Sequence, residues 1–89
     1  MLDSDSRPKL VRGCRLRTTA DGEFLLMPES VMRMNGTGCE IVKRCDGSHS
    51  VEEIVAELQA IYAVPDTERI GAEVTSFLIR LQEKRAIEV

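Results

Sequence analysis

Two cysteines and the single histidine stand close together in the order Cys39-x5-Cys45-x3-His49. Thiolate and imidazole are zinc ligands, and a thiol beside an imidazole is also a nucleophile–base pair. Neither chemistry fits this spacing. A structural zinc site takes four ligands and usually opens on a pair two to four residues apart. Cys45 closes an apolar stripe, where cysteine serves as a small core residue, and Asp46-Gly47 separates it from His49 by a turn. The carboxylates of Glu52 and Glu53 are adjacent. On a helix, adjacent side chains do not face one another, so the two read as first-turn acids favoured by the helix dipole rather than as an acid–base couple. The six glycines follow neither the GxGxxG nor the GxxxxGK order, which leaves no phosphate cradle. No enzyme activity and no cofactor or metal is expected.

The stretch that does carry information runs from Pro28 to Gly47. Residues 31–34, Val-Met-Arg-Met, read as a short strand, and Asn35 or Thr37 can cap a helix over roughly 36–45 with Ile41, Val42 and Cys45 on its apolar side. Before Pro28 the pattern is sheet. Residues 14–18 alternate, with Cys14, Leu16 and Thr18 on one face and Arg15 and Arg17 on the other. Asp21-Gly22 predicts a type I′ hairpin, residues 23–27 the returning strand, and Glu29-Ser30 the next turn. Pro28 stops the strand because it has no N–H to give to a ladder.

After Gly47 the pattern is helix. Ser50 and Glu53 form a capping box. Val51, Ile54, Val55, Leu58, Ile61 and Tyr62 make one apolar face, with Glu52, Glu53 and Glu57 turned away. Val64-Pro65 breaks this helix. Asp66 or Thr67 caps a third one, running to about Arg85, with Ile70, Val74, Phe77, Leu78 and Leu81 as its stripe. Residues 86–89 form an apolar tail that either lies on the sheet or frays. The expected fold is α+β: a three-stranded antiparallel sheet followed by three helices, similar to a winged helix-turn-helix. Residues 1–6 read as a flexible N-terminal tail and residues 7–89 as one domain.

With 89 residues, 43% of them hydrophobic and 30% charged, the chain is long enough for one aliphatic core and too apolar for disorder. Three cysteines cannot all pair within the chain, and no signal sequence or membrane span is evident, so the expected location is cytoplasmic. Net charge is −3, divided into +2 over residues 1–44 and −5 over residues 45–89. A dedicated nucleic-acid binder would be more basic, and the second helix offers Glu52, Glu53 and Glu57 where a recognition helix needs cations. Winged-helix DNA binding is the weaker alternative.

A peptide-recognition module fits better. An edge strand accepts an extended peptide through its main chain, while neighbouring pockets choose side chains. Residues 31–34 are the candidate edge, Ile70, Val74 and Phe77 a candidate wall, and Met27, Met32 and Met34 an adaptable lining. Such an edge also permits a homodimer or a strand-exchanged dimer.

The sequence resembles the PqqD family of pyrroloquinoline quinone (PQQ) biosynthesis, and through it the recognition elements for ribosomally made, modified peptides (RiPPs). The matching pieces are Arg7-Pro8-Lys9-Leu10 with Arg12-Gly13, Arg15-Leu16, Leu25-Leu26-Met27-Pro28-Glu29, Val31-Met32-Arg33-Met34-Asn35, and Cys45-Asp46-Gly47 followed by Val51-Glu52-Glu53-Ile54-Val55. The similarity covers about residues 7–88, nearly the whole chain. The resemblance implies a peptide chaperone that binds the precursor peptide PqqA and presents it to PqqE, a radical S-adenosylmethionine (SAM) enzyme, while holding no cofactor itself. It also implies peptide-binding residues Val31, Met32, Arg33 and Met34 on the strand, with Ile70, Val74, Phe77 and Leu81 across the groove. Ser30 and Met34 depart from the glycine and leucine common in the family, which bears on turn geometry and pocket shape rather than on function; a similar domain serving a different modified peptide is the related alternative.

Overall fold

A computed structural model of the protein describes residues 2–34, 36–63 and 67–89. Eight elements follow one another: β1 (Lys9–Leu10), β2 (Arg15–Thr19), β3 (Gly22–Met27), β4 (Ser30–Met34), α1 (Gly36–Lys43), α2 (Val51–Tyr62), α3 (Thr67–Glu83) and β5 (Ile87–Glu88). The three-stranded antiparallel sheet has the order β2-β3-β4, so β2 and β4 are its edges. The α+β, winged-helix-like organisation expected from the sequence is the one observed.

Both hairpins close through two-residue turns, Ala20-Asp21 and Pro28-Glu29. The first is not the expected type I′ turn. That type needs positive φ at both central residues, and neither Ala20 nor Asp21 has it; positive φ falls on Gly22 at 138°. The second turn sits one residue earlier than expected, because proline's fixed φ suits its first central position. Gly13, with φ of 95°, makes the bend into β2, and a Cβ there would stand 3.2 Å from Pro28 Cγ.

The core lies between one face of this sheet and the three helices. Leu25, Ile54, Leu58, Val74, Leu78 and Leu81 are wholly inaccessible. Ile41, Val42 and Cys45 are buried as the stripe predicts. Ile61 and Tyr62 are not: they stand 49% and 39% exposed, since the last turn of α2 runs past the core.

The chain ends depart furthest from expectation. The tail at 86–89 neither frays nor lies on the three-stranded sheet; β5 pairs with β1 as Lys9↔Glu88 and Leu10↔Ile87, and Ala86 and Ile87 are buried. The segment read as a loose tail caps α2. The Ser6 and Ser4 carbonyls accept from the N–H groups of Val51 (2.9 Å) and Glu52 (3.1 Å). The Ser50 hydroxyl takes the Glu53 N–H at 3.1 Å, the Ser50 carbonyl takes Ile54 at 3.0 Å, and Glu53 returns a bond to the Ser50 N–H. Every donor left open at this helix start therefore has a partner.

Candidate peptide-binding edge and groove

The geometry of β4 follows from its turn. A two-residue turn makes Met27 and Ser30 a hydrogen-bonded pair, and antiparallel pairs then alternate. With the observed register, Leu25/Met32 and Glu23/Met34 exchange bonds, while Leu26/Val31 and Phe24/Arg33 do not. The β2–β3 register requires the same thing of β3, turning Phe24 and Leu26 toward β2. The main-chain N–H and C=O groups of Val31 and Arg33 thus point away from β3 along the free edge. Val31 is also the most exposed of the large apolar side chains, at 61%. Met32 is half-buried and Met34 buried, so these two hold β4 to the core.

A cleft lies between α1, the helix that follows β4, and α3. Gly36 follows Met34 after one residue, and the first turns of α1 carry Thr37, Gly38 and Ile41 into a groove of about 490 Å3. Its other wall is α3, with Ala72, Glu73, Ser76, Phe77 and Arg80. A smaller extension of about 300 Å3 shares Thr37 and Glu73 and reaches Tyr62, Arg69 and Ile70. Of the α3 residues named from sequence, Phe77 lines the main groove. Val74 and Leu81 are fully buried and back the wall rather than face a ligand, while Ile70, 4% exposed, lines only the smaller extension. They occupy the centre of the helix stripe, which the core claims, and Phe77 lies at its flank. The polar lining residues Thr37, Glu73, Ser76 and Arg80 carry no periodic signal and were missed.

Charge within the groove is mixed. Arg69 Nε lies 3.7 Å from Glu73, whereas the Arg80 side chain makes no ion pair or hydrogen bond among the described residues. On β4, Arg33 donates to the Asp21 carbonyl at 3.2 Å and so lies over the β2–β3 turn. A separate cleft of about 470 Å3 sits between Leu2, Asp3 and Ser4, α2 and α3, lined mainly by apolar groups; it adjoins no free strand edge.

The two buried thiols and the histidine have structural partners. Cys39 and Cys45 are buried, and burial raises their thiols to about 11 and about 12. Cys45 Sγ donates to the Ile41 carbonyl at 3.3 Å. His49 lies between Asp46 and Glu57, and Arg44 bridges Glu40 (2.8 Å) and Glu57 (2.9 Å). The hydrogen bond from Arg44 holds the Glu40 carboxyl below its ordinary range. No group of three His, Cys, Asp or Glu side chains among the described residues is arranged to hold a metal ion.

Comparison with known proteins agrees with this architecture. The family model for coenzyme PQQ synthesis protein D (PqqD) matches residues 23–87. The chain belongs to the PqqD family. The PqqA binding protein of Xanthomonas oryzae pv. oryzae is 34% identical over 87 residues, covering 96% of this chain and 94% of that one. The PqqD truncation of Methylobacterium extorquens PqqCD, a stand-alone RiPP recognition element, superposes with a TM-score of 0.85 at 28% identity, over 100% of this chain and 96% of its own. Lasso peptide synthetase B1, solved with its leader peptide, shares the fold with a TM-score of 0.80 at 20% identity, over 94% of this chain and 100% of its own. The PqqD stretch at residues 23–87 begins in β3 and contains β4, α1 and α3, the elements that build the edge and groove. No helix among the described residues is long and apolar enough to cross a membrane.

Proposed function

We propose that this chain is a peptide chaperone that binds the precursor peptide PqqA as an added strand on β4 and presents it to the radical SAM enzyme PqqE during PQQ biosynthesis in the cytoplasm. The observation that carries this reading is the outward-facing main chain of Val31 and Arg33 on a free edge, in a fold that also has an α1–α3 groove. Two donors and two acceptors give four hydrogen bonds. At about 0.5–1.5 kcal/mol net each they contribute roughly 2–6 kcal/mol. Micromolar affinity needs about 8 kcal/mol, so side chains of the peptide must enter the groove against Phe77 and Ile41.

The chain performs no chemical step in this reading; it orders the peptide and hands it on. Ser30 and Met34, at the turn and at the inner end of the edge, are where a preference for another modified peptide would arise. The test is a calorimetric titration with PqqA, a scrambled PqqA and a short DNA duplex. Saturable binding to PqqA alone is expected. Equal binding of the scrambled peptide, or binding of the duplex, contradicts the reading.

A further inference from the structure

The face of the sheet turned away from the helices is neither polar nor neutral. Cross-strand partners share a face, so the registers place Arg15, Leu26 and Val31 in one row and Arg17, Phe24 and Arg33 in the next. The opposite face carries Leu16, Leu25 and Met32, which pack on the core. Phe24, Leu26 and Val31 take no part in that core. An antiparallel sheet with one wet side normally turns polar residues outward. Here three apolar side chains are flanked by three arginines, and no carboxylate stands in either row. The side chains of Arg15 and Arg17 make no ion pair or hydrogen bond among the described residues, and Arg33 donates to a carbonyl, not to an acid.

We propose that this outer face docks an acidic surface with an apolar centre on a second protein, the enzyme that takes delivery of the peptide. The assignment rests on the peptide-chaperone reading above. An apolar patch flanked by arginine is the composition of a protein interface, and uncompensated guanidinium groups select carboxylates. Nucleic acid fits less well: Leu26 and Val31 offer nothing to a base, Phe24 is the one stacking surface, and the chain carries net charge −3. The placement also serves delivery. Val31 and Arg33 give their main chain to the free edge and their side chains to this face, so enzyme and peptide would meet along β4.

The test leaves β4 untouched and uses Arg15→Glu/Arg17→Glu in the full chain, two exposed positions on the far edge strand. Calorimetry with purified PqqE and, separately, with PqqA is run at about 50 mM and about 300 mM salt. Wild type should bind the enzyme more weakly at high salt, and the variant should lose about tenfold or more at low salt. Arg15→Lys/Arg17→Lys should recover most of the affinity, and PqqA affinity should stay within about twofold in both variants. Enzyme affinity equal in wild type and the Glu variant, or no enzyme binding by wild type, overturns the proposal. So does a homodimer, or a complex with a single-stranded oligonucleotide, that the Glu variant abolishes. Failure of the chaperone reading shows separately, as wild type that does not bind PqqA.

Discussion

His49 Nε2 lies 3.2 Å from Glu57 Oε2, tying the turn after α1 to the middle of α2. Its Nδ1 lies 3.0 Å from Asp46, so the ring sits between two carboxylates. The Asp46 hydrogen bond raises the imidazole above its ordinary value of 6.5 and lowers its own carboxyl to about 2. For His49 the folded state holds the proton more tightly than the unfolded state, so the contribution is complete below about 6.5 and fades as pH rises through the raised value. For Asp46 the folded value is depressed, so its contribution is complete above about 3.8 and fades as pH falls toward 2. The thermal midpoint of wild type should exceed that of His49→Ala most between about pH 4 and 6.5 and converge on it in alkaline buffer. A difference independent of pH would show that the pair does not act as a charged clasp.

Proline scanning of β4 separates edge from ladder. Val31→Pro removes an outward N–H and should weaken PqqA about tenfold while shifting the thermal midpoint by only a few degrees. Met32→Pro removes an inward N–H bonded to Leu25 and should lower the midpoint far more. Peptide titration and thermal melts of both variants read the two effects. Unchanged affinity in Val31→Pro would sink the proposed strand register.

Leu81 and Phe77 both belong to the apolar stripe of α3 but should behave oppositely. Leu81 is fully buried, and Leu81→Ala should cost about 2–5 kcal/mol of stability. Phe77 is half-buried against the groove; Phe77→Ala should cost less stability and more peptide affinity. Denaturant melts paired with titrations distinguish them. Loss of affinity in Leu81→Ala, in protein still folded and with Phe77→Ala unaffected, would move the groove.

Thiol reactivity should follow burial. Cys39 and Cys45, raised to about 11 and about 12 chiefly by burial, should resist alkylation at mildly alkaline pH until the protein is unfolded. Cys14 is half-buried and should react first. Mass spectrometry of native protein treated with iodoacetamide gives the order, and simultaneous labelling of all three would contradict it.

Local patterns decided the elements. The alternation at 14–18, the Ser50–Glu53 capping box and Pro28 each act within a few residues, so a strand, a helix start and a strand end were legible in the sequence. The candidate edge at 31–34 was legible too, because sequential hairpins place the last strand at the side of a meander. What the sequence left open depends on partners distant in the chain. The β1–β5 pairing joins residues nearly eighty positions apart, and the carbonyls of Ser4 and Ser6 reach α2 across more than forty. Glu57, turned away from the apolar face of its helix, meets Arg44 and His49 only because α1 packs beside α2. The stripe of α3 shows which side of the helix is apolar. Periodicity cannot divide that side into core and groove; packing against α1 and α2 buried Ile70, Val74 and Leu81 and left Phe77 at the rim.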